Sequence, residues 1–181
     1  MTVGQIYLDS AIKRLMTYKI LGDGTFMQLN EEDFFFTPND ASNSIAVIIR
    51  HLHGNMISRW TNFLTEDGEK ADRNREEEFN RPSAGKEDLL ALWNAGWTRL
   101  LDTLHSLKEE DLLATITIRR EPLIAIDAIN RQLAHYPHHV GQIVYIGKII
   151  RGDAWKNLSI PRGASVDFNR QMQEQHTHPG K

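Results

Sequence analysis

His135 and His139 have the residue type and the spacing of a metal-binding pair. Residues four apart lie one turn above each other on an α-helix, so the two imidazoles can reach one cation. His138 is out of phase with the pair and is expected to face solvent. Zincin proteases carry a glutamate after the first histidine of their motif, where this chain has Tyr136, so that class is not expected. Catalytic zinc usually takes three protein ligands, so a third one must come from elsewhere.

The helix that must carry this pair is predicted from about Ile124 to Arg151, where apolar residues recur at helical spacing. The two histidines fall on one flank of the apolar stripe, which is a usual position for ligands in a helical bundle. Pro137 removes one backbone hydrogen bond, so a local kink is expected beside them. The same spacing also fits histidines that only cap a helix or pair with a neighbouring carboxylate.

A second strong helix is predicted over residues 44 to 64, and it carries His51 and His53. These two histidines lie towards opposite flanks of its apolar stripe, so periodicity leaves both open as partners for the pair. Three residues can cap the start of this helix: Ser42, Asn43 and Ser44.

Two further helices complete the set. The first is predicted over residues 3 to 28, with a break or a bend at Gly22-Asp23-Gly24 because glycine costs about 1 kcal/mol in a helix interior. The third is predicted to begin after a Ser83 cap. Alternating β-branched residues at 115–118, followed by residues 119–123, predict a small hairpin before the last long helix.

These elements predict an all-α fold, a four-helix bundle with one tiny β-hairpin. A single domain is expected over residues 1–169. Residues 153–181 show no helical pattern, and residues 170–181 read as a disordered tail. The polar stretch 65–82 fits a solvated linker, yet Phe79 would also suit an ordered loop that covers a site.

The composition limits the classes of function. The 181 residues carry a formal net charge of −3, which argues against nucleic acid as the main partner, although a local basic patch escapes such a sum. The chain has no cysteine, so any metal must rest on nitrogen and oxygen ligands. It shows no secretion signal and no apolar run long enough to span a membrane, so a cytoplasmic location is expected.

Several blocks of the chain resemble the DinB/YfiT-like superfamily, in particular its branch of small bacterial proteins. The resemblance covers roughly residues 5 to 169. It is carried by NSIAVIIRHLHGNM at residues 43–56, SRW at 58–60, DGEK at 67–70, RNR at 73–75, EF at 78–79, HYPHHVGQI at 135–143 and LSIPRG at 158–163.

The resemblance implies a dimeric four-helix bundle that binds a divalent metal through three histidines. By position these are His51, His135 and His139, while His53 occupies a position that the superfamily does not use as a ligand. Zinc and nickel suit such a nitrogen-rich site best. Some members transfer low-molecular-weight thiols and others are labelled metal-dependent hydrolases.

The expected function is therefore a metal-dependent enzyme that transfers a low-molecular-weight thiol to a small electrophilic substrate. A metal-dependent hydrolase and a non-catalytic metal-binding or stress-related module are the alternatives. Asn55, Arg59 and Gln142 are candidates for positioning the substrate or the metal ligands, or for plain interhelical hydrogen bonds. Glu69 and Glu78 of the 65–82 stretch are candidates for a fourth ligand.

A homodimer is expected from the resemblance and from apolar residues on more than one side of the last two bundle helices, such as Trp93, Trp97, Ile146 and Ile150.

Overall fold

The computed structural model describes residues 1–80 and 83–176, and helices dominate it. The predicted four-helix bundle is confirmed. Its helices are α1 (Val3–Phe26), α2 (Ile45–Trp60), α4 (Lys86–Ser106) and α5 (Ala125–Arg151). The remaining elements of the described chain are a one-turn helix α3 (Arg75–Glu78), helix α6 (Ser165–His176), strands β1 (Thr115–Ile118) and β2 (Glu121–Ile124), and 3-10 turns at Glu32–Phe35, Glu109–Leu113 and Gly152–Ala154.

The core forms where α2 packs mainly on α4 and α1 packs mainly on α5. Five aromatic side chains in it are less than 2% exposed: Trp60, Trp93, Trp97, Tyr136 and Phe34. Each such ring removes a large apolar area from water, which is the main force that holds the helices together. This core positions α2 and α5 beside each other along the faces that carry the histidines.

Helix α1 continues through Gly22-Asp23-Gly24 to Phe26, close to the predicted range of residues 3–28, so of the two alternatives at this tripeptide the break is wrong. A Cβ at Gly22 would come within 2.5 Å of the Trp93 indole, and the Trp93 Nε1–H donates to the Asp23 carboxylate at 2.8 Å. Glycine is therefore used here for the close approach of α4. The packing gained outweighs the helix propensity lost.

Two helix boundaries differ from the predicted ones. Ser44 caps α2 through a hydrogen bond from the Val47 amide, one of the predicted choices, but the helix ends at Trp60 and not at residue 64. Helix α4 starts at Lys86 after Gly85, so the predicted Ser83 cap is wrong. Glycine can occupy a helix start without a capping side chain.

The hairpin of β1 and β2 lies where predicted, and its turn is unusual. Arg119 and Arg120 both have positive φ angles, of 55° and 65°. Two-residue hairpin turns of this kind favour glycine or asparagine, because side chains rarely adopt this conformation. The Asp67 carboxylate accepts hydrogen bonds from both backbone amides at 2.8 Å and so holds the turn. The loop that follows α2 is thereby tied to the hairpin.

The C-terminal segment contains a helix that the sequence pattern did not indicate. Residues 165–176 form α6, so the expectation that residues 153–181 lack helix is wrong for this part. None of its residues is buried, which explains why no apolar stripe indicated it. The domain limit at residue 169 and the tail stay predictions, and residues 177–181 lie outside the described part.

None of the helices in residues 1–80 and 83–176 combines the length and the apolar character that crossing a membrane requires.

Candidate metal centre

The structure brings together His51 of α2 with His135 and His139 of α5. One ring nitrogen of each lies within 4.8 Å of the corresponding nitrogens of the other two. The His135 Nε2 is the central atom, 3.4 Å from the His51 Nε2 and 3.1 Å from the His139 Nε2. His51 is buried and the other two rings are half-buried, so the three nitrogens meet at the edge of the bundle core.

Each of the three rings is held from behind through its Nδ1 atom. The His51 Nδ1 lies 2.9 Å from Glu78 Oε2. The His135 Nδ1 lies 3.2 Å from Gln132 Oε1, and the His139 Nδ1 lies 2.9 Å from Gln142 Oε1. Each partner atom accepts a hydrogen bond when the ring proton lies on Nδ1, so these contacts favour that tautomer. The three Nε2 lone pairs then face one another, which is the arrangement that a bound cation requires.

Glu78, the partner of His51, comes from α3 in the loop after α2. Its carboxylate also receives two hydrogen bonds from the Arg73 guanidinium, at 2.7 and 2.9 Å. Burial opposes ionisation of Glu78, but the hydrogen bonds from His51 and Arg73 outweigh it and keep the pKa of this carboxyl below its usual range. The loop is therefore an ordered part of the centre and not a solvated linker.

Gly54 makes room for this carboxylate. It lies three residues after His51 on α2, and a Cβ built there would collide with Glu78 Oε1. A larger residue at position 54 would push Glu78 away from the ring that it holds.

The electrostatics of the centre favour neutral imidazoles. Burial, with the neighbouring His139 and His51 rings next, lowers the pKa of His135 to about 3. Burial likewise lowers the pKa of His139. Neutral imidazole is the form that binds a metal ion, so these side chains are ready as ligands near neutral pH.

The family described as "Protein of unknown function (DUF1572)" matches the chain over residues 2–164. The chain belongs to DUF1572. The match includes every bundle helix and both histidine blocks, and it ends directly before α6. No curated protein and no solved structure matches the chain.

A cavity of about 200 Å³ adjoins the histidines in this DUF1572 protein. His51 and His135 form part of its wall, together with Asn55 and Gln132. The rest of the wall is made of five arginines: Arg59, Arg73, Arg75, Arg119 and Arg131. A small molecule in this space would lie beside the converging nitrogens.

Asn55 and Arg59, two of the predicted positioning residues, line this cavity. Asn55 Oδ1 accepts a hydrogen bond from the Tyr136 hydroxyl at 2.9 Å, and that hydroxyl accepts one from the Trp60 Nε1–H at 2.9 Å. Arg59 donates to the Gly68 carbonyl and pairs with Glu69 at 2.9 Å. Both side chains are therefore fixed in place by the core or by the loop.

Gln142, the third predicted candidate, does not line this cavity. Its oxygen accepts from His139 and its amide lies 3.1 Å from the exposed His138 ring, so it orients a ligand. Sequence reasoning missed Gln132, which does the same for His135. The spacing in the sequence could have indicated it. Gln132 lies three residues before His135 and Gln142 lies three residues after His139, and residues three apart lie on the same face of a helix.

The other histidine on α2 takes no part in the centre. The His53 Nδ1–H donates to the Leu92 carbonyl at 2.9 Å, and burial lowers the pKa of this ring. His53 lines a different cavity, of about 430 Å³. Its wall carries acids and bases together, among them Glu66, Lys70 and Asp72.

The acids named as candidates for a fourth ligand are engaged elsewhere. Glu78 contacts the Nδ1 atom of His51, and Glu69 pairs with Arg59 and Arg119. Among the described residues, the cluster able to hold a metal ion consists of the three histidines alone.

Proposed function

We propose that the protein is a divalent-metal-dependent enzyme of the DinB/YfiT-like kind that transfers a low-molecular-weight thiol to an electrophilic substrate. His51, His135 and His139 are the metal ligands. The observation that carries the proposal is the set of three Nε2 atoms that face one another while every Nδ1 is bound to an acceptor. Three facing lone pairs repel one another unless a cation lies between them.

The donor set fits zinc or nickel, since both metals accept imidazole nitrogen readily. A bound cation of this kind lowers the pKa of a coordinated water or thiol and so supplies a nucleophile near neutral pH. Glu78, Gln132 and Gln142 hold the three rings in the required tautomer and orientation.

The surroundings favour an open catalytic centre over a closed structural one. A closed site takes four protein ligands, and the two candidates for the fourth, Glu69 and Glu78, are bound to other groups. The cavity that adjoins His51 and His135 leaves room for a substrate. Asn55 and Arg59 line this space and are the residues that would position the reacting molecule there.

Thiol transfer is favoured over hydrolysis by the chemistry of the cavity wall. The described residues that form the wall include no aspartate and no glutamate. A water nucleophile is commonly assisted by such a carboxylate acting as general base. A thiol has a much lower pKa than water and loses its proton without one.

The test compares His139→Ala with His138→Ala. The two rings are adjacent in sequence, but only the first belongs to the converging set. His139→Ala should abolish zinc binding in calorimetry, while its circular dichroism remains helical and His138→Ala binds zinc as the wild type does. Zinc-loaded wild type should then consume a thiol in the presence of an electrophile, and His139→Ala should not.

The same experiment can refute the proposal in several ways. Zinc should stabilise the fold only by mass action, about 2.7 kcal/mol at a hundredfold excess over its dissociation constant. If His139→Ala or the chelated wild type unfolds outright, the metal is structural. Zinc-dependent ester hydrolysis without thiol consumption would identify a hydrolase, and zinc binding without turnover of any kind a metal-binding module.

The homodimer stays part of the proposal, but its basis has changed. Trp93, Trp97 and Ile146, which suggested a second apolar face, are buried in the chain's own core. Tyr145 and Ile149 of α5 are instead 67% and 44% exposed and offer an apolar surface for a second copy. Light scattering that gives the monomer mass at micromolar concentration would contradict the dimer.

A further inference from the structure

The cavity beside the histidines has a wall that is far more basic than the chain as a whole. The chain carries a net charge of −3, yet five of the residues that line this cavity are arginines. The described part of the wall contains no carboxylate. Such a concentration of one charge in a small concave space attracts ions of the opposite charge.

Three carboxylates that are not part of the wall neutralise these arginines only in part. Glu69 is shared by Arg59, Arg73 and Arg119, at N–O distances of 2.9, 3.5 and 3.1 Å. Glu78 pairs with Arg73, and Glu76 lies 3.4 Å from Arg75. Five guanidinium groups therefore face three carboxylates, which leaves two positive charges without compensation.

Arg131 is the arginine of this wall whose side chain is least restrained by other described residues. It lies on α5 one turn before His135 and is exposed. Its side chain makes no hydrogen bond or ion pair with any other described residue, whereas Arg59 and Arg73 are held in place by the loop. A guanidinium with free N–H groups at the mouth of a cavity can donate two parallel hydrogen bonds to a carboxylate or phosphate.

We propose that this cavity binds the anionic group, a carboxylate or a phosphate, of the substrate, with Arg131 as its principal anchor. As a statement about the substrate the inference rests on the proposed function, although anion binding itself does not. The volume of about 200 Å³ suits a small metabolite and not a polymer. An anion held by Arg131 would place the remainder of the molecule towards His135, which shares the same wall.

The inference is tested by calorimetry on metal-free and on zinc-loaded protein at constant ionic strength. The probes are inorganic phosphate and succinate, and succinamide serves as the uncharged analogue of succinate. Both anions should bind the metal-free protein, and succinamide should not. Arg131→Gln should weaken binding of the anions by about tenfold or more, as expected for the loss of a charge-assisted hydrogen bond.

Arg14→Gln is the matched control, because it removes the same charge from an exposed position on α1 that does not line the cavity. This variant should bind both anions as the wild type does. Equal weakening in the two variants would show a nonspecific effect of net charge and overturn the inference. Failure of both anions to bind either form of the wild type would also overturn it.

The zinc-loaded arm separates this inference from the proposed function. An anion that binds only the zinc-loaded protein, with Arg131→Gln unaffected, is held by the metal, and the arginine site is refuted while metal binding stands. The opposite result is a protein that takes up no zinc but binds anions in a way that depends on Arg131. The anion site then stands and the metal-dependent function fails.

Discussion

Two segments of the chain are both rich in charged residues and poor in apolar ones, the loop over residues 65–80 and helix α6. Each contains an arginine–carboxylate pair with a closest N–O distance of 2.7 Å, Arg73 with Glu78 and Arg170 with Asp167. The side chains of the first pair are 5% and 9% exposed, whereas those of the second are both 66% exposed. Water screens the second pair strongly and the first one hardly at all.

The two pairs also differ in what they are connected to. Arg170 and Asp167 join two positions of the same exposed helix. Glu78 joins Arg73 to His51, and Glu69 joins Arg73 to Arg59, so the loop pair belongs to a chain of contacts that reaches the candidate metal centre. Two ion pairs with the same N–O distance are therefore expected to contribute differently to stability, because they differ in burial and in the groups around them.

The strongest test of this comparison replaces both arginines with the same residue. Arg73→Met leaves Glu78 without its buried arginine and removes one of the three arginines around Glu69, so it should lower the free energy of unfolding by about 3 kcal/mol. Arg170→Met should change it by less than about 0.5 kcal/mol. Urea unfolding followed by circular dichroism measures both values. Equal effects in the two variants would remove the distinction between the segments.

A second test uses two of the three glutamates of α3. Glu78→Gln keeps an oxygen for His51 but removes the negative charge that makes the ring a stronger ligand, so zinc affinity should fall about tenfold to hundredfold. Glu76→Gln is the control, because the Glu76 side chain is 88% exposed and should not affect zinc binding. Competition with a chromogenic chelator gives both affinities. Wild-type affinity in Glu78→Gln would mean that the loop only covers the centre.

A smaller effect is expected at the start of the loop. Hydrogen bonds from the backbone amides of Glu69 and Arg120 lower the pKa of Asp67 from 3.8 to about 2. The folded-state pKa lies below the unfolded one, so this contribution to stability is present above about pH 4 and is lost as the pH falls towards 2. Asp67→Asn should cost about 1 kcal/mol at pH 7, because the group is partly exposed to water. The difference from wild type should shrink in urea titrations at pH 3, and a constant difference would refute this assignment.

The smallest effect is expected at the C-terminus. Ending the chain after Ala164 removes α6, none of whose residues is buried. Thermal unfolding and zinc affinity should both stay within error of the wild type. A marked loss of either would show that α6 has a role that its exposure does not suggest.

The parts that could be predicted from sequence depend on local periodicity. The apolar stripes of α2 and α5 recur every three to four residues, and the spacing of His135 and His139 is part of the same pattern. Helix α6 was missed because only three of its twelve residues are large apolar ones, Val166, Phe168 and Met172, and none of them is buried. Its boundaries follow local hydrogen bonding, for which the pattern of apolar residues gives no signal.

The partners of the histidines were harder to predict. Glu78 lies 27 residues after His51 in a segment without apolar periodicity, so nothing local indicated that its carboxylate would reach the ring. Whether α1 continues through Gly22 could not be decided from sequence for a similar reason, because the Trp93 ring that compensates for the glycine lies on another helix. Both contacts are set by tertiary packing, which propensity does not contain.

Gly54 gives a practical rule for reading other members of the family. Because a side chain at this position would collide with Glu78, the glycine and the glutamate should occur together with the α2 histidine in any chain that holds its ring in the same way. A relative that keeps all three histidines but carries a bulky residue in place of the glycine must support that ring by other means. Such chains would form a subgroup that an alignment alone can identify, and we expect their histidines to bind a metal ion with a different, typically lower, affinity.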